Sequence, residues 1–218
     1  MFRDQVYGTG GYGSLSLTEA SPPQSFVEPL SLDEVKKFLK LPVRSPVDAL
    51  EDAELSSLIS AARGQAELLQ GRDLVRKQWD LYFDYWPSFY IPLRAPLVSV
   101  DLFTLRDNTG LVTPLVEDTD YIVDTAKSPG LVTPPYNLEW RNFTPWPSSA
   151  MLIRFTSGFI PASPWWINDG SQVRAGMRML INHWFTNKLP FEKGIDAARE
   201  YPYGLTASLR QGGLIHVA

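Results

Sequence analysis

The sequence predicts an α+β fold: a small three-helix core, with an antiparallel β-rich insertion between the second and third helices. Apolar residues recur every three to four positions up to Gly71 and every second position after it, and the helical period returns beyond Pro164. Gly- and Pro-rich stretches predict extended N- and C-terminal arms. The predicted domains are an N-terminal arm (1–30), a helical core (31–74 with 159–190), a β-rich insertion (75–158) and a C-terminal tail (191–218).

The first helix is predicted over residues 32–40. It begins where Ser31 and Glu34 form an S-x-x-E capping box, in which each side chain can satisfy the other's free backbone donor. The third helix is predicted over 172–187, with Ser171 as its cap.

The second helix is predicted over residues 52–70, because apolar residues form one continuous stripe along it. Gly71 stands where a left-handed cap residue is expected. Gly64 lies inside the helix, where glycine costs about 1 kcal/mol relative to alanine. It marks a close helix approach or is simply tolerated, and we favour close approach.

The insertion is predicted from its period-2 pattern. Apolar and polar residues alternate from Val75 to Tyr85, as in a half-buried antiparallel strand. The next strand continues this alternating pattern with Val98, Val100 and Leu102. Hairpin turn residues at 107–110 precede the remaining predicted strands, which are Leu111–Leu115, Tyr121–Val123, Leu131–Val132 and Met151–Phe155.

Composition excludes several functional classes. The 218 residues contain no Cys, which removes disulfides and thiolate chemistry and suits a reducing cytoplasm. The formal net charge of −4 argues against a dedicated nucleic-acid binder. The N-terminal residues lack a secretory signal, and no stretch reaches the ~20 apolar residues of a membrane span. We therefore expect a soluble protein with no membrane partner.

Candidate chemistry is weak throughout the sequence. The glycines of Gly8–Gly13 follow no predicted strand and open no helix, so the geometry of a phosphate loop is missing. The two histidines, His183 and His216, have no metal-ligand spacing. Three acidic residues crowd into a predicted turn without the spacing of a calcium loop: Glu117, Asp118 and Asp120. We predict no catalytic, cofactor-binding or metal-binding residue, and no enzyme.

Aromatic residues outside the periodic elements are the better candidates for function. Four tryptophans lie in Pro-rich connections, where they could stack on sugars, anchor a protein interface or cap the ends of the β block: Trp140, Trp146, Trp165 and Trp166. The N-terminal arm carries further aromatics for an inter-subunit or partner contact: Phe2, Tyr7 and Tyr12.

The order of segments resembles a phage family, the head-to-tail connector proteins (adaptor or head-completion proteins) of long-tailed phages and gene transfer agents. The resemblance covers roughly residues 30–188, with a looser match at 202–210. The long Gly/Tyr arm before Leu30 and the enlarged 134–147 excursion depart from the family pattern. The matching stretches are Leu30–Leu41, Glu51–Arg63, Gln70–Leu81, Met151–Phe159 and Val173–Asn187.

This resemblance implies a structural subunit of a dodecameric ring in the neck of a virion. The ring would dock on the portal protein, pass double-stranded DNA through its lumen and carry a stopper or tail-completion protein. A short apolar segment after Gly212 and Gly213 can add to a sheet edge, and the resemblance implies the portal as its partner; the alternative is a frayed or self-docked terminus. Its candidate docking residues are Leu209, Arg210, Leu214, Ile215 and Val217. The alternatives are a carbohydrate- or receptor-binding β module and a small hydrolase with an unrecognised acid pair.

Overall fold

The computed structural model describes residues 15–20, 27–41, 49–87, 89–135, 139–186 and 203–210. They fall into two compact units. The β unit lies within residues 1–26 and 76–158, and the helical unit within 27–75 and 159–218. Helices and antiparallel sheets together make an α+β fold, as the sequence predicts.

The helical unit is built on one apolar core. Its described residues form a 3₁₀ turn at Pro164–Trp166 and four helices, namely α1 (Leu32–Phe38), α2 (Ala49–Gln70), α3 (Gly170–Thr186) and α4 (Tyr203–Arg210). The stripe of α2 predicted from the sequence faces this core, since Leu55, Ile59 and Ala66 are all buried. The core is completed by side chains of α1, α3 and α4.

Local signals place two of the helix ends as predicted. The Glu34 amide donates to Ser31 Oγ at 3.2 Å, and the Ser31 amide donates to Glu34 Oε2 at 2.9 Å, so the capping box is formed. The helix α2 ends at Gly71, whose φ of 68° is left-handed. The start of α3 differs from the prediction. The helix begins at Gly170, so Ser171 lies inside its first turn and does not cap it. The Ser171 hydroxyl donates to the Asn168 carbonyl.

The prediction of a close helix approach at Gly64 is wrong. Gly64 is exposed on α2, and a Cβ added there would meet no atom of the described residues within 4 Å. The glycine lies on the face of α2 opposite the apolar stripe, so no described part of the chain requires a glycine there.

The β unit contains two antiparallel sheets that share one apolar core. Five strands pair in the order β1-β2-β8-β4-β5, and three in the order β3-β7-β6. Their bounds are β1 Ser16–Glu19, β2 Lys77–Phe83, β3 Ile91–Leu93, β4 Leu97–Arg106, β5 Val112–Pro114, β6 Ile122–Asp124, β7 Gly130–Thr133 and β8 Met151–Ser157.

The strand β4 does not keep the even alternation that the sequence predicts for it. Register shifts interrupt its pairing with β8 between Leu97 and Ser99 and again between Val100 and Leu102. Each shift reverses which residues face the core. Leu97, Val100 and Phe103 therefore contact the core in turn, whereas Val98 and Leu102 are exposed.

The strand β1 was not predicted from the sequence. It pairs with β2, placing Leu17 opposite Leu81, and the Ala20 amide donates to the Gln78 carbonyl at 2.9 Å. Four residues are too few to show a period. Leu17 packs against the core because β1 pairs with β2, and that pairing is not visible in the local sequence. The prediction of an arm through residue 30 therefore overlooked this strand.

Candidate interaction surfaces

The predicted portal-docking residues differ in their exposure to solvent. Leu209 lies in the core of the helical unit with no exposed surface, and its carbonyl accepts a hydrogen bond from Gln70. Its side chain is therefore used within the subunit. Arg210, at the end of α4, is exposed. The remaining docking candidates lie outside the described residues: Leu214, Ile215 and Val217.

The arm candidates Phe2, Tyr7 and Tyr12 also lie outside the described residues. The description of this N-terminal segment begins at residue 15, where it joins the β unit. The strand β1 holds residues 16–19 at the edge of the five-stranded sheet.

Trp140 and Trp146 both contact side chains of the β unit. Trp140 stacks on Trp86, with ring centroids 4.6 Å apart, and the Trp86 indole donates to the Arg141 carbonyl at 2.9 Å. The guanidinium of Arg106 lies 4.2 Å from the centroid of the Trp146 ring. Both tryptophans are half-buried, so only part of each ring remains at the surface.

Trp165 and Trp166 belong to an aromatic cluster of the helical unit. Trp165 stacks on Phe159 at 4.4 Å and meets Trp166 edge-on at 4.8 Å. Trp166 is buried, whereas Trp165 is half-buried. Their main contacts lie within the subunit, and a role for them at an interface stays a prediction.

The more exposed aromatic surface lies on the loop between β2 and β3. Tyr85, Phe89 and Tyr90 are 55, 77 and 51% exposed. The loop is anchored at its start. Asp84 accepts a hydrogen bond from the Ser149 amide at 2.6 Å, and Trp86 stacks on Trp140. Sequence reasoning missed this surface, although an aromatic run broken by Pro87 between two strands was its signal.

The outward face of the five-stranded sheet carries a polar network. Arg154 donates two hydrogen bonds to Asp80, both at 2.7 Å, and these bonds help raise the pKa of Arg154. Asp101 accepts hydrogen bonds from the side chains of Gln78 and Thr156. Since both carboxylates are engaged by fixed donors, this network braces the sheet and does not resemble a catalytic acid pair.

Other classes of site are also not evident in the described parts of the chain. No group of three or more His, Asp or Glu residues there is placed to hold a metal ion. Among the same residues, no helix combines the length and apolar character needed to cross a membrane. The acidic cluster forms a turn, in which Asp120 accepts a hydrogen bond from the Val116 amide at 2.9 Å.

No protein-family model and no curated protein matches this sequence. Solved structures do match its fold. A chain in the neck of an empty gene transfer agent particle, computed with C6 symmetry, aligns with a TM-score of 0.68 and 20% identity, covering 93% of this chain and 97% of that one. This chain shares the fold of a gene transfer agent neck protein.

Two further structures share this neck-protein fold. A chain of the virion of the native gene transfer agent particle gives a TM-score of 0.66 at 19% identity, and one from the native neck with C12 symmetry gives 0.61 at 20%. Each alignment again covers 93% of this chain and 97% of the other. The likeness therefore includes both the β unit and the helical unit.

Proposed function

We propose that this chain is a structural subunit of the neck of a phage-like particle, where it forms a ring between head and tail. The observation that carries the proposal is the fold likeness over 93% of this chain to a protein from such a neck. The C6 and C12 symmetries of the matching neck structures support a ring, and we infer a dodecamer.

The ring would dock on the portal protein, extend the DNA channel and carry the stopper or tail-completion protein. A net charge of −4 suits a conduit, because a strongly basic lumen would retain the passing duplex. Portal contact is assigned to the C-terminal tail. The exposed Arg210 and the apolar residues beyond Gly213 are its candidates, whereas Leu209 is committed to the core.

Subunit contact is assigned to the outward face of α2. This face is exposed and built mainly from small residues, so another subunit can approach it closely: Ala53, Ser57, Ala61, Gly64 and Leu68. Leu68 is 50% exposed and supplies an apolar anchor at one end of the face. A closed ring uses two different patches on each subunit, and this face would supply one of them.

A receptor- or carbohydrate-binding role for the β unit is the second candidate. The observation that favours it is the anchored loop that presents Tyr85, Phe89 and Tyr90 to solvent. Exposed aromatic rings suit stacking on sugars. Glycan-array binding that is lost in Phe89→Ser would support this role, and it is compatible with membership of a ring.

Particles assembled without this protein test the proposal. A missing connecting layer should leave heads and tails separate in electron micrographs, and supplying the intact protein should restore joined particles. Joined, complete particles in its absence would overturn the proposal.

A further inference from the structure

The end of α1 exposes a large aromatic side chain. Phe38, the last residue of α1, is 45% exposed. Its ring lies beside α3, where the guanidinium of Arg178 is 5.9 Å from the ring centroid. Lys37 and Lys40 lie on either side of Phe38 in the chain and are exposed as well. We call these four residues the Phe38 patch.

The three cations of the Phe38 patch have no ion-pair partner in the described parts of the chain. No carboxylate there lies within ion-pair distance of any of them. Glu34, one helical turn before Phe38, pairs with Arg174 at 2.8 Å. The patch therefore presents an apolar ring and positive charge to a partner.

Lys40 is held in a backbone conformation that favours glycine. Its φ is 59°, and it closes α1, because the Leu41 amide donates to the Lys36 carbonyl at 2.9 Å. A glycine would meet this geometry without strain. Strained residues cluster at functional sites, and the described contacts of the subunit give no reason for a lysine at this position. We therefore expect the Lys40 side chain to serve a contact outside the subunit.

The outward face of α2 has room for an aromatic ring. A Cβ added at Gly64 would meet no atom of the described residues within 4 Å, so the backbone of α2 is open to close approach. Glycine inside a helix is unfavourable, and a ring of another subunit packed against Gly64 would explain its presence. The exposed residues around it are small: Ser57, Ser60 and Ala61.

The charge of α2 is opposite to that of the Phe38 patch. Helix α2 contains four acidic residues and one basic residue, Arg63. Arg63 is buried and pairs with Glu28 and Glu67, so the described outward face of α2 carries no cation. Glu54 is exposed beside this face. Opposite charges on the two surfaces favour their association and fix its direction.

We propose that the Phe38 patch of one subunit packs on the outward face of α2 of the next subunit, with the Phe38 ring over Ala61 and Gly64. The proposal rests on the ring proposed above, and it names the second patch that a head-to-tail contact requires. Another copy of this chain is the expected neighbour, because the matching neck structures have C6 and C12 symmetry. Duplex DNA is a poorer fit, since its phosphates would meet the cations but leave the ring without an apolar contact.

Two variants of the full-length protein test the proposal, because each disables one side of the contact. Gly64→Leu places a side chain where the ring would pack, and Phe38→Ser removes the ring. Both positions are exposed, so both variants should stay folded, which circular dichroism checks. Ring formation is followed by negative-stain electron microscopy, in solution and on isolated portal rings. We expect no rings from either variant, whereas Asp33→Asn, exposed on α1 outside the patch, should form them.

A mixture of the two variants identifies the contact. Each variant keeps the surface that the other has lost, so an equimolar mixture should form a one-to-one dimer. Neither end of that dimer can add a further subunit, so assembly should stop there. Analytical ultracentrifugation measures the mass of the complex. Rings formed by either variant alone, or a mixture that stays monomeric, would overturn the proposal.

These outcomes separate the contact from the neck role. Rings of either variant on the portal would reject the contact and leave the neck role standing. An unaltered protein that forms no ring, in solution or on the portal, would overturn both. Lys40→Gly is an independent check, because glycine accepts this φ and should leave the subunit at least as stable while the ring becomes weaker. Rings of undiminished stability would contradict the contact assigned to Lys40.

Discussion

Gln70, the last residue of α2, donates a hydrogen bond from Nε2 to the backbone carbonyl of Leu209 in α4, over 2.9 Å. Both residues are buried, so this bond lies inside the helical unit. Residues separated by 139 positions are joined by it. The helix α4 is therefore part of the folded subunit, and a docking tail can begin only at its exposed last residue, Arg210.

Leu209→Ala tests this placement of α4. The side chain has no exposed surface, so its truncation should reduce the free energy of unfolding by about 2–5 kcal/mol. Arg210→Ala, at the next and exposed position, should change it by less than about 0.5 kcal/mol. Urea unfolding followed by far-UV circular dichroism measures both values. Equal small effects would place Leu209 at the surface.

Replacing two helical glycines, Gly64 and Gly176, with alanine should change the stability of the protein in opposite directions. A Cβ at Gly64 meets none of the described residues within 4 Å, so Gly64→Ala should stabilise the isolated protein by up to about 1 kcal/mol. A Cβ at Gly176 would lie 3.0 Å from Leu209 Cδ2 and 3.2 Å from Ser208 Cβ, so Gly176→Ala should be destabilising. Thermal unfolding of the two variants gives the signs. A stabilised Gly176→Ala would mean that α4 does not pack there.

Removing either partner of the Arg154–Asp80 ion pair should lower the free energy of unfolding, but by different amounts. Asp80 is 8% exposed and Arg154 is 35% exposed, measured on the side chains. Arg154→Leu leaves a buried carboxylate without its cation and should cost about 2–3 kcal/mol, below the range for fully buried pairs. Asp80→Asn leaves a cation that water reaches and should cost about 1 kcal/mol.

The double variant provides the control. Because one partner's removal cancels the penalty of the other, the combined loss should be smaller than the sum of the single losses by more than about 0.5 kcal/mol. Additive losses in urea unfolding would show that the two side chains do not interact energetically.

Acid should weaken the contact between α1 and α3. Burial is the largest influence on Glu34 and would raise its pKa, but hydrogen bonds from Ser31 and the nearby Arg174 together lower the pKa below 4.5. A lowered folded-state pKa stabilises the protein above pH 4.5, and this stabilisation is lost as the pH falls through the folded value.

Glu34→Gln measures that contribution. Since the pair is partly exposed, the variant should lose less than about 1 kcal/mol at pH 7, and its difference from the unaltered protein should shrink well below pH 4.5. Asp33→Asn removes a carboxylate in the same turn and serves as control. A difference that grows on acidification would contradict the assigned sign.

Features fixed by nearby residues could be predicted from the sequence. The capping box at Ser31 and Glu34 and the left-handed Gly71 depend on residues a few positions apart, and both are present. The period-2 strand after Val75 is likewise present as β2, because its alternation matches its burial at Leu81 and Phe83.

Features decided by distant partners could not be predicted. The register shifts in β4 are set by its pairing with β8, so the exposure of Val98 and Leu102 is not visible in a local pattern. The burial of Leu209 requires α2 and α3, which lie far away in the chain.

The most direct test of the neck role is to mix the purified protein with isolated portal rings and image the complexes by cryo-electron microscopy. We expect a separate layer of density on one face of the portal, with twelve-fold symmetry and a continuous central channel, and this fold should fit into that layer. A protein that remains monomeric and leaves both faces of the portal bare would contradict the neck role.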